Sequence, residues 1–153
     1  MWLRQRSPKA VAVEGRVREQ MSEKGGLGMD HSKFVHFEIP ADNVERARKF
    51  YEALFGWNIR DMSEAGFSDY WSVMVSDDEN DLHGGMMERQ EGITAPHFYI
   101  SVESVDRTLE RRQELGGTVV MPKDAVPRMG WLALFKDPEG NVFGLWQDDP
   151  TSG

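Results

Sequence analysis

The 153-residue chain contains no cysteine. That excludes a disulfide framework and thiolate chemistry, and it fits a reducing cytoplasm. No stretch approaches the ~18 consecutive apolar residues that a membrane-spanning helix needs. The first residues, MWLRQRSPKAVAVEGRVREQ, are basic but lack a sustained apolar run, so they do not read as a signal peptide. Phosphate loop, nucleophile elbow and dinucleotide fingerprint are all missing, which leaves kinase, classical hydrolase and dehydrogenase readings without support. Positive charge is scarce in most of the chain. Residues 1–28 hold six Lys or Arg and three Glu, whereas residues 29–153 hold 12 basic and 23 acidic residues. An acidic domain repels phosphate backbones, so nucleic acid is not an expected partner.

What is present is a repeat. HFEIPADNVERARKFYEALFGW (36–57) aligns with HFYISVESVDRTLERRQELGGT (97–118) at a constant offset of 61. His36 meets His97, Phe37 meets Phe98, Ile39 meets Ile100, Leu54 meets Leu115 and Gly56 meets Gly117. At an offset of 60, Trp71 meets Trp131, Asp77 meets Asp137 and Gly84 meets Gly144. Matches this widely spaced point to a duplicated unit.

Each copy parses alike. A short strand, FVHFEI or PHFYIS, alternates its side chains. A helix follows. In copy one Asp42 or Asn43 can cap it, and Val44, Ala47, Phe50, Tyr51, Leu54 and Phe55 form an apolar stripe ahead of Gly56. In copy two Ser104 caps, Val105, Leu109 and Leu115 face inward, and Gly116-Gly117 end the helix. A second strand (WNIRDM or GTVVMP) and a hairpin complete the unit, with Asp-rich turns DDEND and DPEGN. The expected architecture is βαβββ twice. Residues 1–28 have no apolar period and end in GGLG; they read as a disordered leader, with Met21 and Met29 both candidate starts. The domain is expected over 29–149, with one module at about 33–89 and another at about 94–148, and a tail at 150–153.

The strand-initial histidines, FYEALFGW, ELGGTVV and KDPEGNVFGLWQ resemble the vicinal oxygen chelate superfamily over about residues 33–148. That superfamily includes glyoxalase I, extradiol dioxygenases, methylmalonyl-CoA epimerase, and bleomycin and fosfomycin resistance proteins. The resemblance implies an α+β fold: two tandem βαβββ modules in a partly closed mixed sheet, helices outside and a cavity inside. It also implies homodimers, a small-molecule ligand or substrate, and a divalent metal (Zn, Ni, Fe or Mn) held by two His and two carboxylates. His36 and His97 match the two His positions. The carboxylate positions fall on Gly144 and on Gly84 or Gly85, and glycine offers no ligand.

Substitutes for those carboxylates are few. Glu38 lies two residues after His36, on the same strand face, and Tyr99 does the same beside His97. Glu88 stands at the end of its strand, and His83 adjoins the glycine pair. Glu38 or Glu88 is the candidate third ligand or catalytic base. Small residues at ligand positions also leave room, so Gly84, Gly144, Tyr99, Trp71, Trp131 and Trp146 are candidate walls of an apolar ligand pocket. Two functions follow. One is a metal-independent protein that binds or transforms a small organic molecule. The other is a metal-dependent lyase, isomerase or dioxygenase acting on vicinal oxygens. A glutathione-dependent glyoxalase I is not expected without the carboxylates.

Overall fold

A computed structural model describes residues 31–153. The leader at 1–28 and both candidate start methionines lie outside the described residues. The first half begins with β1 (Phe34–Ala41) and α1 (Val44–Phe55). The cap is Asn43, whose side chain accepts from the Arg46 N–H at 2.9 Å, satisfying a donor that the helix start leaves open. Asp42 instead pairs with Arg89 at 2.8 Å. α1 ends at Gly56, whose φ of 70° is a left-handed cap that a side chain would strain. β2 (Asn58–Asp61), a single 3-10 turn at Ser63–Ala65, β3 (Tyr70–Met74) and β4 (Gly84–Glu88) follow.

The second half repeats the order. β5 (His97–Ser101) leads to α2 (Val105–Glu114), β6 (Thr118–Val126), β7 (Gly130–Lys136) and β8 (Val142–Asp148). Ser104 caps α2 by accepting from the Arg107 N–H at 3.2 Å. The β7–β8 turn is tied by Asp137, which accepts from the Glu139 and Asn141 N–H groups. The β3–β4 connection is tied by His83: Nδ1 accepts from the Val75 N–H at 3.1 Å, and Nε2 donates to the Asp78 carbonyl at 2.8 Å.

Among the described residues, eight strands form one mixed sheet in the order β2-β3-β4-β1-β5-β8-β7-β6. The order is symmetric about its middle. Each module contributes four strands, and the first strands, β1 and β5, meet antiparallel at the seam. Within each module the first and last strands are parallel neighbours, β1 with β4 and β5 with β8. Both helices cover one face. α1 buries Val44, with Ala47 and Tyr51 packed beside it, against Ile59, Val73 and Met86. α2 buries Val105, with Leu109, against Ala133 and Leu145. The opposite, inner face carries its own core of Val35, Ile93, Tyr99, Met121, Val126, Leu132, Leu134 and Trp146. Each large apolar side chain buried in these clusters stabilises the fold by about 1.5–3 kcal/mol.

Local differences from the sequence reading have physical causes. Phe50, Leu54 and Phe55 of the α1 stripe are 58, 58 and 56 % exposed, because the sheet covers only the side of the helix that carries Val44, Ala47 and Tyr51. Leu115 is 63 % exposed because it lies one residue past the end of α2. β6 runs past Pro122 to Val126. It can do so because it is an edge strand with two register irregularities, where a missing N–H costs no ladder bond. At the C-terminal end, Ser152 is buried: its hydroxyl donates to the Val126 carbonyl at 2.6 Å and accepts from the Met129 N–H at 3.0 Å. No helix of the described residues is long and apolar enough to cross a membrane.

Candidate functional site

The seam brings the two echoed segments side by side. In the β1–β5 register, Glu38 faces His97 and His36 faces Tyr99. Alternation puts all four side chains on the inner face. All are buried. Glu38 and Tyr99 are counterparts at the repeat's offset of 61, and they bond directly: the Tyr99 hydroxyl donates to Glu38 Oε1 at 2.7 Å. His97 Nε2 lies 3.4 Å from the same oxygen. Its Nδ1 lies 3.2 Å from the Ala95 carbonyl. A carbonyl only accepts, so Nδ1 carries a hydrogen. His36 shares a hydrogen bond of 2.9 Å with the hydroxyl of Tyr70, which reaches across from β3.

Burial is the largest influence on Glu38 and raises its pKa. The hydrogen bond and charge of His97, the charge of His36 and the Tyr99 hydroxyl together outweigh it, and the carboxyl ends below the usual range. Glu38 is therefore an ionised carboxylate inside the protein. Its second oxygen, Oε2, has no hydrogen-bond partner among the described residues. Glu38 also lines a void of about 10 Å³, together with Met87, Ile93, Tyr99, Met121, Leu132 and Leu134. That is room for about one water.

The glycines acquire a specific meaning. Gly85 pairs with Glu38 and so belongs to the inner face, while Gly84 pairs with Phe37 and belongs to the helix face. A Cβ on Gly85 would run into the Tyr70 hydroxyl, and a Cβ on Gly144 into the Tyr99 ring. The hollows at these two carboxylate positions are filled by tyrosines from neighbouring strands.

The structure thus gathers His36, Glu38, His97, Tyr99, Gly144 and Trp146 on one face. Trp71 and Trp131 lie on the other face under the helices, with the Trp131 indole N–H donating to Asp149 at 3.0 Å. Gly84 turns away against Phe37, and Glu88 is exposed at the end of β4, three residues beyond Gly85. Tyr70 escaped the sequence reading because its repeat counterpart is Gly130. Gly85, a small residue on the strand next to it, was the available signal.

His36 engages Tyr70, and Glu38 is shared by Tyr99 and His97. Among the described residues, no three His, Asp or Glu side chains converge as metal donors.

Paired βαβββ modules with a histidine on each of the two strands that meet at the seam define a glyoxalase-type scaffold. The chain belongs to the Glyoxalase/Bleomycin resistance protein/Dioxygenase superfamily, whose sequence pattern matches residues 33–145. It is 31 % identical over 115 residues to CFP32 of Mycobacterium tuberculosis, covering 72 % of this chain and 43 % of that protein. To lactoylglutathione lyase GLX1 of Arabidopsis thaliana it is 28 % identical over 131 residues, covering 80 % of this chain and 46 % of that one. The chain spans about half the length of these relatives. Among solved structures it resembles Streptomyces coelicolor methylmalonyl-CoA epimerase in complex with 2-nitronate-propionyl-CoA. The TM-score is 0.53 at 13 % identity, over 80 % of this chain and 99 % of that one.

Proposed function

We propose that this chain binds or transforms a small organic molecule at Glu38, without a metal ion. Glu38 would serve as acceptor or general base for a proton-bearing group of the ligand. The observation that carries the reading is the buried, ionised carboxylate, which has an unpartnered oxygen and lines a void. Desolvation strengthens such an acceptor, and Tyr99 and His97 hold it in place and supply donors for charge that develops on the ligand. The void admits only a water as it stands. Its walls include Met87 and Met121, unbranched side chains that re-pack at low cost, so a larger guest is accommodated by moving them.

The test uses protein labelled at the methionine methyl carbons and treated with EDTA. Hydroxyacetone and catechol, both carrying vicinal oxygens, are titrated into the millimolar range. Shifts at the Met87 and Met121 methyls that vanish in Glu38→Gln are the expected result. Shifts that survive Glu38→Gln, or that appear only after an ion is added, would overturn it. The second outcome is also the mark of the other reading, a metal-dependent lyase, isomerase or dioxygenase using His36 and His97. That chemistry requires His36 to leave Tyr70 and His97 to turn from Glu38. Elemental analysis beside the His36→Ala/His97→Ala variant separates the two readings.

A homodimer belongs to the same proposal. The exposed row Phe50, Leu54 and Phe55 on α1 is an apolar surface of the kind that pairing covers. Light scattering coupled to size exclusion reads the mass, and a monomer at micromolar concentration argues against pairing.

A further inference from the structure

We infer that the cleft between the first residues of β5 and β8 is a second binding site, for a small molecule that joins a planar apolar body to an anionic group. The two parallel strands pair from Tyr99 and Gly144 onward. Ahead of those residues they part. Between them lies a cavity of about 500 Å³, walled by Pro96 to Phe98, Lys136, and Gly140 to Phe143. That volume lies within the roughly 300–1,000 Å³ of small-molecule sites. A peptide strand would need a longer free edge, since only the two residues before each first pair are available on either side.

The walls specify the ligand. Phe98 is 40 % exposed. Phe34 lies 4.9 Å from Phe98, ring centre to ring centre, and is stacked parallel to Phe143 at 6.4 Å. Of these rings, Phe98 and Phe143 line the cavity and give it an apolar aromatic wall that water covers poorly. No Asp or Glu lines the cavity, although acids outnumber bases by 23 to 12 in residues 29–153. The one Lys or Arg in the lining is Lys136, half-buried and without an ion pair among the described residues. Asp137, next in sequence, is committed to the turn through the N–H groups of Glu139 and Asn141 and the Asn141 side chain. His97 closes the inner end, but its ring nitrogens face Ala95 and Glu38. An ammonium group with no counter-ion among the described residues, beside the aromatic rings of Phe98 and Phe143, selects an aromatic carboxylate or a similar anion.

This site shares only His97 with the Glu38 cluster, and its anion contact, Lys136, forms no hydrogen bond or ion pair with that cluster. The test is calorimetry on the full chain with 1-naphthoate and its neutral analogue 1-naphthalenemethanol. Naphthoate is expected to bind at least about ten-fold more tightly. Lys136→Gln should bring the two compounds within about two-fold, and Lys136→Arg should keep the preference. Phe98→Ala should weaken both, with far-UV circular dichroism confirming that each variant is folded. Equal binding of the two compounds, a preference that survives Lys136→Gln, or no binding of naphthoate in the millimolar range would each overturn the inference.

Discussion

Glu38 bonds diagonally across the seam to its own counterpart in the duplicated unit, Tyr99. Had both positions kept glutamate, two buried carboxylates would repel across the seam; Tyr99 turns that contact into a hydrogen bond. Because its carboxyl is depressed below the usual range, Glu38 stabilises the fold above its unfolded-state pKa, and that contribution is lost as pH falls through its folded-state pKa. Urea midpoints measured from pH 7 downward should show this. Glu38→Gln is expected to cost about 3 kcal/mol at neutral pH, and the gap from wild type should shrink in acid. A gap constant with pH would mean that the carboxylate's charge contributes nothing. Gly85 makes a second test. Gly85→Ala forces a methyl against the Tyr70 hydroxyl, at an expected cost of about 1–3 kcal/mol. Tyr70→Ala removes the hydroxyl and the ring carbons behind it, all of which collide, so the double variant should be more stable than the sum of the singles, and additivity would show that the ring does not fill that hollow. Of this cluster, His36, Glu38, His97 and Tyr99 were legible in the sequence, because duplication and alternation both mark them. Tyr70 was not, because its counterpart is Gly130 and no pattern connects it to Gly85 until β3 and β4 are paired.

The helices show which local signals carry over to structure. Caps did: Asn43 and Ser104 each accept from the N–H three residues on. Asn43→Ala should therefore lower stability by about 1 kcal/mol in thermal or urea unfolding. Asp42→Ala, which removes only an exposed ion pair to Arg89, should cost less than about 0.5 kcal/mol. The reverse ranking would assign the cap to Asp42. Periodicity carried over only in part. It marks which residues of α1 are apolar, but the sheet decides how much of that stripe is covered, and Phe50, Leu54 and Phe55 remain largely outside. The length of β6 was hidden for a related reason. Pro122 reads as a strand end, and it is tolerated inside one only because β6 has a neighbour on a single side, a fact of topology rather than of local sequence.

At the scale of the whole molecule the seam decides how the halves depend on each other. Each module is below the ~70 residues at which one core supplies adequate stability by itself. Each also leaves the edge of its first strand bare unless β1 and β5 pair. The buried groups sharpen this dependence. Glu38 belongs to one module, while the hydroxyl and imidazole that offset its charge belong to the other. Separation would leave a buried carboxylate with neither, at a cost of several kcal/mol. Unfolding of the described domain should therefore be one cooperative transition. Hydrogen exchange under native conditions should give the slowest amides of β4 and of β8 the same opening free energy, and far-UV circular dichroism and tryptophan fluorescence should share one urea midpoint. Tyr99→Phe removes the donor across the seam without a change of shape, so it should lower that shared midpoint for both halves together. If β4 opened before β8, the modules would be independent domains that merely touch. The Glu38 cluster would then be a surface of contact rather than the bond that holds the sheet as one.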